Sequence, residues 1–296
     1  MNGTSSMTKV ISIALAQLNS HLGNIGSNVA RLLDARRDAA AVGADIVVTP
    51  EMYLSGYPCD DLVLRSDFMN EVAAGLSDLA AATSDGGPAI IVGAPHAEDG
   101  VVTNAVFVID DGAVTARRDK VNLPNYGVFD DKRNFIPGEM PGPVLVRGRR
   151  VGLPICEDIW TPDVVECLAE SGAEIIISLN ASPFDHLKPD SRMMHAVSRA
   201  VESELPFVYV NMVGGQDELV FDGGSFALAA DGSLAAHLPS FSESTVTIRI
   251  DEDFGAASLA GQMTPPDEGM AALYRGLTLG LRDYVDKNGF PGVVLG

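Results

Sequence analysis

The sequence predicts an α/β protein whose strands are covered on both sides. Short apolar runs rich in β-branched residues alternate along the chain with longer stretches of helical periodicity. Several of the short runs, Ile175-Ile176-Ile177 among them, are apolar at consecutive positions, so both faces of those strands need a covering layer. Composition agrees, because 46% hydrophobic and 20% charged residues over 296 positions can fill a large core.

The first run, Val10–Ala16, imitates a secretory signal: Lys9 precedes it, and Ala14 and Ala16 stand in an A-x-A arrangement. It is only seven residues long and follows a weakly polar leader, so a first β-strand is the better reading. Asn24–Val42 fits a helix and Asp45–Thr49 a strand, followed by a helix over Asp67–Ala82. Ala89–Ala94, Ala105–Ile109 and Val151–Ile155 are strands by the same criterion, and Pro162–Ser171 is a helix. Strand Glu174–Leu179, helix Ser191–Ser203 and strands Phe207–Asn211, Ser225–Ala229 and Val246–Ile250 complete the alternation. The composition then shifts. Asp251–Asp267 is acidic and rich in Gly, Ala and Pro, and reads as a linker. Glu268–Lys287 is a final helix in which Leu273, Leu277, Leu281 and Tyr284 recur on one face. The apolar Gly292–Gly296 reads as the beginning of a strand with no sheet partner nearby in sequence.

Twenty Lys plus Arg against forty Asp plus Glu give a formal charge of −20 and a pI near 4.4. That balance argues against a sequence-independent nucleic-acid binder or a binder of anionic membranes, both of which need a basic footprint. No apolar run reaches the roughly 18 to 20 residues of a membrane helix. Cys59, Cys156 and Cys167 are too few and too irregular for a disulfide framework or a cysteine zinc site, and a cytoplasmic protein is the simplest expectation.

The usual catalytic templates are missing: there is no GxxxxGK[ST], no GxGxxG after a strand, no HExxH and no GxSxG. The five histidines are scattered, and none pairs at metal spacing. What remains is a set of polar residues at strand ends. Glu51 follows Asp45–Thr49 and Pro50, Lys120 follows Ala113–Asp119, and Cys156 follows Val151–Ile155. Ligands of open α/β sheets gather beyond the carboxyl ends of strands. A thiol, a carboxylate that takes its proton and an ammonium that faces an oxyanion suit acyl transfer. Spacing alone leaves the bland readings open: Cys156 as a small core residue, Glu51 at a helix start and Lys120 as a surface lysine.

At these segments the sequence resembles the nitrilase (carbon–nitrogen hydrolase) superfamily, whose catalytic order is Glu, Lys, Cys. More narrowly, it is similar to the glutamine amidotransferase domain of glutamine-dependent NAD synthetases, over roughly residues 9–250. The motifs are Pro50-Glu51-Met52-Tyr53-Leu54-Ser55-Gly56-Tyr57-Pro58, Lys120 through Asp130, Cys156-Glu157-Asp158-Ile159-Trp160 and Asn180-Ala181-Ser182-Pro183-Phe184. The resemblance implies a four-layer α-β-β-α sandwich, with Cys156 as nucleophile, Glu51 as general base and Lys120 as the cation at the oxyanion. By its position after the nucleophile, the backbone N–H of Glu157 is expected to be a second oxyanion donor. Tyr126, Ser182 and Lys188 fall where the family binds the amino-acid end of glutamine.

Asp131 stands where that pattern has Glu, which puts a second-carboxylate role there in doubt, and Cys59 reads as structural. The resemblance further implies two regions. Residues 8–250 form the amidohydrolase domain, and 251–296 hold a linker, a helix and the beginning of an ATP-dependent synthetase domain. The amidohydrolase domain would need no metal or organic cofactor, ATP and magnesium belonging to the synthetase half that amidates deamido-NAD. The expected partners are L-glutamine, that synthetase domain and further copies of the chain in a homo-oligomer. The alternative reading is a stand-alone nitrilase-type amidase acting on another amide or a carbamoyl compound.

Overall fold

A computed structural model of the chain describes residues 10–185, 191–251 and 262–294. Along the chain run β1 (Ile11–Gln17), α1 (Ile25–Ala41), β2 (Ile46–Val48), α2 (Ser66–Ala82), β3 (Ala89–Glu98), β4 (Val101–Asp110) and β5 (Ala113–Asp119). A second series follows: β6 (Val144–Val146), β7 (Arg149–Gly152), α3 (Asp163–Glu170), β8 (Ile175–Asn180), α4 (Ser191–Ser203) and β9 (Phe207–Asn211). The chain then forms β10 (Val213–Gln216), β11 (Leu219–Asp222), β12 (Phe226–Leu228), β13 (Leu234–His237), β14 (Ser244–Ile250) and α5 (Gly269–Lys287).

Two six-stranded sheets result, ordered β14-β1-β2-β3-β4-β5 and β13-β12-β9-β8-β7-β6. Each has a parallel centre, β1-β2-β3 in one and β7-β8-β9 in the other, extended by antiparallel strands on both sides. The alternation of side chains along β1 shows why both faces are apolar. Ile11, Ile13 and Leu15 enter the core between the two sheets, where they join Val151, Ile175, Ile177 and Val208. Ala14 and Ala16 point the other way, into a layer with Ile25, Val29 and Leu32 of α1 and Val72, Leu76 and Leu79 of α2. Across the second sheet, Ile176, Phe207 and Tyr209 meet Val164 and Leu168 of α3 and Ala196 and Ala200 of α4. The layers are therefore helices, sheet, sheet, helices, the four-layer sandwich that the sequence and its resemblance led us to expect.

Helix boundaries follow local chemistry. The Asn24 side chain accepts the Ser27 N–H and caps α1, whose buried residues Ile25, Val29, Leu32 and Ala39 form one stripe. The glycine at 93 in β3 is required by close approach, since a Cβ there would lie 2.4 Å from the Met52 nitrogen and 2.9 Å from the Glu51 main chain.

Two expectations are corrected at the C-terminal end. The face of α5 that packs on the sandwich is not the leucine stripe but a small-residue one, Ala272, Gly276 and Leu279, with buried Asp283. Small residues let the helix approach β10 and β11 closely, so that Gly280 lies against Gly215 and Val220. Asp283 accepts the N–H of Gly215 and an amide proton of Asn19, and Lys287 donates to the carbonyls of Ser20 and Gly215. Leu277, Leu281 and Tyr284, with Met270 and Tyr274, are left exposed. The run after α5 forms no strand through Val294, as no neighbouring strand edge is offered to its backbone among the described residues. Residues 295 and 296 lie outside the described residues, as does most of the expected linker (252–261).

Candidate active site

The three strand-end residues converge. Glu51 follows β2, Lys120 follows β5, and Cys156 follows the bridge of Ile155 to Leu179 at the end of β8. All three are buried, Lys120 and Glu51 at 1% and 2% exposure. Lys120 Nζ donates to Glu51 Oε1 and to Asp131 Oδ2, at 2.8 Å each. Glu51 is further held by the Asn104 side-chain amide (2.7 Å, to Oε1) and the Ala181 N–H (2.9 Å, to Oε2). Its carboxylate thus has donors on both oxygens, which fixes its rotamer and orientation.

Electrostatics sort the cluster. Burial alone would push the Lys120 ammonium down, but the carboxylates of Glu51 and Asp131 outweigh it and hold Lys120 well above its ordinary value. Burial raises the Cys156 thiol, and the Glu51 charge raises it further against the opposing pull of Lys120 and the Ala181 N–H. Cys156 is therefore a thiol held in its protonated form beside a carboxylate, an arrangement in which a carboxylate can take the proton of an attacking sulfur. Cys156 has φ +46°, in the left-handed region, and opens a single 3-10 turn, Cys156–Ile159.

Asp131, the position of doubt, does reach the lysine and also accepts the Tyr57 hydroxyl at 3.3 Å. Burial raises its carboxyl, opposed by Lys120. Tyr126 stands at the rim of a cleft of about 720 Å³ that Glu157 also lines. Its hydroxyl sits 2.9 Å from both carboxylate oxygens of Glu157. Burial raises the Glu157 carboxyl, and the Tyr126 bond opposes the rise. Ser182 is fixed by its main chain: its N–H donates to Asn211 Oδ1, and its carbonyl accepts from Asn211 Nδ2. Its hydroxyl is bonded to the buried Tyr209, which in turn bonds Arg192 of the Arg192–Asp222 ion pair. Lys188 lies outside the described residues. Cys59 is buried against Gly56 O, its thiol pushed up to about 12 by burial, in keeping with a structural residue.

A second cavity of about 430 Å³ lies between α5 and the Arg192–Asp222 pair, and none of the described candidate residues lines it. No group of metal-ligating side chains occurs among the described residues. No helix there is long and apolar enough to cross a membrane.

Residue reasoning alone missed Asn104, Asp158 and the Ala181 N–H. Asn104 carried a usable signal: an amide inside the apolar strand Val101–Asp110 needs buried partners. Ala181 carried none, since its main-chain donor is recruited only by tertiary proximity.

A buried thiol, carboxylate and ammonium at the carboxyl ends of two facing sheets define a class. Residues 12–258 match the carbon-nitrogen hydrolase family, and the chain belongs to that family. Among curated proteins, the chain is 41% identical over 293 residues to the glutamine-dependent NAD(+) synthetase of Rhodobacter capsulatus, covering 98% of this chain and 52% of that protein. The solved structure of the Acinetobacter baumannii glutamine-dependent NAD+ synthetase with ADP superposes with a TM-score of 0.89 at 36% identity, over 96% of this chain and 54% of that one. An amidase of Nesterenkonia sp. AN1, bearing the acetamide moiety of fluoroacetamide on its active-site cysteine, aligns with a TM-score of 0.75 at 28% identity, covering 82% of this chain and 91% of that one. The chain spans about half the length of the curated relatives it matches.

Proposed function

We propose that this chain hydrolyses the side-chain amide of L-glutamine through a thioester on Cys156, releasing glutamate and ammonia. The observation that carries the reading is the closed cluster in which Lys120 bridges Glu51 and Asp131 beside the Cys156 thiol. Glu51 takes the thiol proton as sulfur attacks the amide carbon. The resulting oxyanion is stabilised by the Lys120 ammonium and the N–H of Glu157. Glu51 returns the proton to the leaving nitrogen, C–N cleavage expels ammonia, and a thioester remains. Water then attacks the thioester with Glu51 again as base, and glutamate leaves as Cys156 regains its proton.

The amino-acid end of the substrate falls to Glu157, Tyr126, Ser182 and Lys188. Glu157, held by Tyr126, offers a carboxylate to the α-ammonium, and Ser182 and Lys188 serve the α-carboxylate. The ammonia is the substrate of an ATP- and magnesium-dependent half that amidates deamido-NAD, the reading to which the similarity with glutamine-dependent NAD synthetases lends support. On this reading, residues 8–250 are the amidohydrolase domain and 251–296 lead into that half, and the exposed apolar face of α5 fits such a junction. A cytoplasmic location, supported by three free cysteines, belongs to the same reading. So does a homo-oligomer.

The test is an amide panel scored for ammonia and the matching acid, with Cys156→Ala as the blank. L-glutamine should be the preferred substrate. Inert glutamine beside a hydrolysed aliphatic amide or carbamoyl compound would establish the stand-alone amidase instead.

A further inference from the structure

Asp158 takes no part in the steps above, yet its carboxylate is the most heavily engaged main-chain acceptor beside the nucleophile. It is 1% exposed. Oδ2 accepts the N–H of Ile155 at 2.9 Å, and the Asp158 N–H donates back to the Ile155 carbonyl at 3.0 Å. These two bonds close a ring around Cys156 and Glu157. Oδ1 crosses to the other wall of the site and accepts the N–H groups of Val121 (3.1 Å) and Asn122 (2.7 Å), the two residues after Lys120. One buried carboxylate therefore ties the turn that carries the thiol to the loop that carries the ammonium.

Both tied segments need such a tie. Cys156 is held at φ +46°, a conformation a non-glycine residue keeps only when its surroundings determine it. The peptides after Lys120 have left β5, and the N–H groups of Val121 and Asn122 have this carboxylate in place of a ladder partner. We infer that Asp158 is a positioning residue. By holding three main-chain N–H groups it fixes the Cys156 sulfur against the Lys120 ammonium and against the N–H of Glu157. The inference rests on the proposed function only for the reaction that this geometry serves.

Asp158→Asn tests it. A side-chain amide has one acceptor oxygen, so its NH2 must face an N–H donor on one wall and that half of the tie is lost. With folding confirmed by circular dichroism, kcat for glutamine should fall about 100-fold with KM within about twofold, the cost of a misplacement near 1 Å. Alkylation of Cys156 by iodoacetamide, which needs no glutamine site, should slow at least tenfold, and its pH profile should shift. Amide exchange should quicken on the wall that loses its acceptor, either at Ile155 or at Val121 and Asn122. If Asp158→Asn does not fold, Asp158→Glu takes its place: its carboxylate is one methylene too long to serve both walls, and the same kcat-only loss is expected.

Native kcat and a native alkylation profile per folded molecule would overturn the inference, leaving Asp158 merely structural. So would a loss confined to KM. If wild-type protein is alkylated at Cys156 but releases no ammonia from glutamine, the proposed function fails, and the alkylation comparison still decides the role of Asp158.

Discussion

Lys120 is held between two carboxylates, and the shorter Asp131 reaches it as closely as Glu51 does. The lysine therefore has a structural duty beside the catalytic one proposed for it. In Lys120→Met, burial and the neighbouring Glu51 charge raise the Asp131 carboxyl, and only the Tyr57 hydroxyl bond still opposes the rise. A carboxyl raised above its unfolded value favours folding when protonated, and that contribution is lost as pH rises through the raised pKa. Lys120→Met should therefore lose about 3–5 kcal/mol at pH 8 and visibly less at pH 5.5, measured by urea unfolding at the two pH values. Equal losses at both would show that the carboxylates do not couple through the lysine. Gly93 offers a second residue-scale check. Gly93→Ala drives a methyl into the Glu51–Met52 main chain, so it should lower kcat at least tenfold and cost about 1–3 kcal/mol by thermal denaturation. At this scale the strand ends drew attention to Glu51, Lys120 and Cys156, the family resemblance singled them out over their bland readings, and the structure brings the three together. Asn104 offered only the signal of an amide inside an apolar strand, and the Ala181 N–H offered none, because their roles depend on which strands become neighbours.

At the scale of elements, α5 separates what periodicity tells from what packing decides. Its leucines mark an apolar face correctly, but close approach to β10 and β11 selects Ala272, Gly276 and Leu279 as the buried side. Leu279→Ala should cost about 2–5 kcal/mol in urea unfolding, whereas Leu277→Ala should stay within about 0.5 kcal/mol. A large loss at Leu277 would mean that the leucine face is covered in this chain. The strands of the parallel centres were read within a few residues, as long β-branched runs permit. By contrast, β6, β10, β11 and β13 went unread. They are three or four residues long, and Gly214-Gly215 within β10 carries no alternating pattern for a strand to show.

For the molecule as a whole, two sheets of the same pattern meet face to face, and their strand ends contribute to one site. The doubly apolar runs made that layering legible, while the pairing of one sheet with the other depended on the family resemblance. If the ammonia serves a second half, glutamine turnover by this chain alone should be low and should rise on adding a separately produced synthetase domain, measured as glutamate release. Robust turnover that the added domain leaves unchanged would count against that coupling.

The central claim is that Cys156 is the nucleophile of a glutamine site. It is tested most directly by intact-protein mass spectrometry after treatment with 6-diazo-5-oxo-L-norleucine, with and without excess L-glutamine, beside Cys156→Ala. One adduct, suppressed by glutamine and lost in the variant, is the predicted result. An adduct that persists in Cys156→Ala, or no adduct while iodoacetamide still alkylates Cys156, would contradict it.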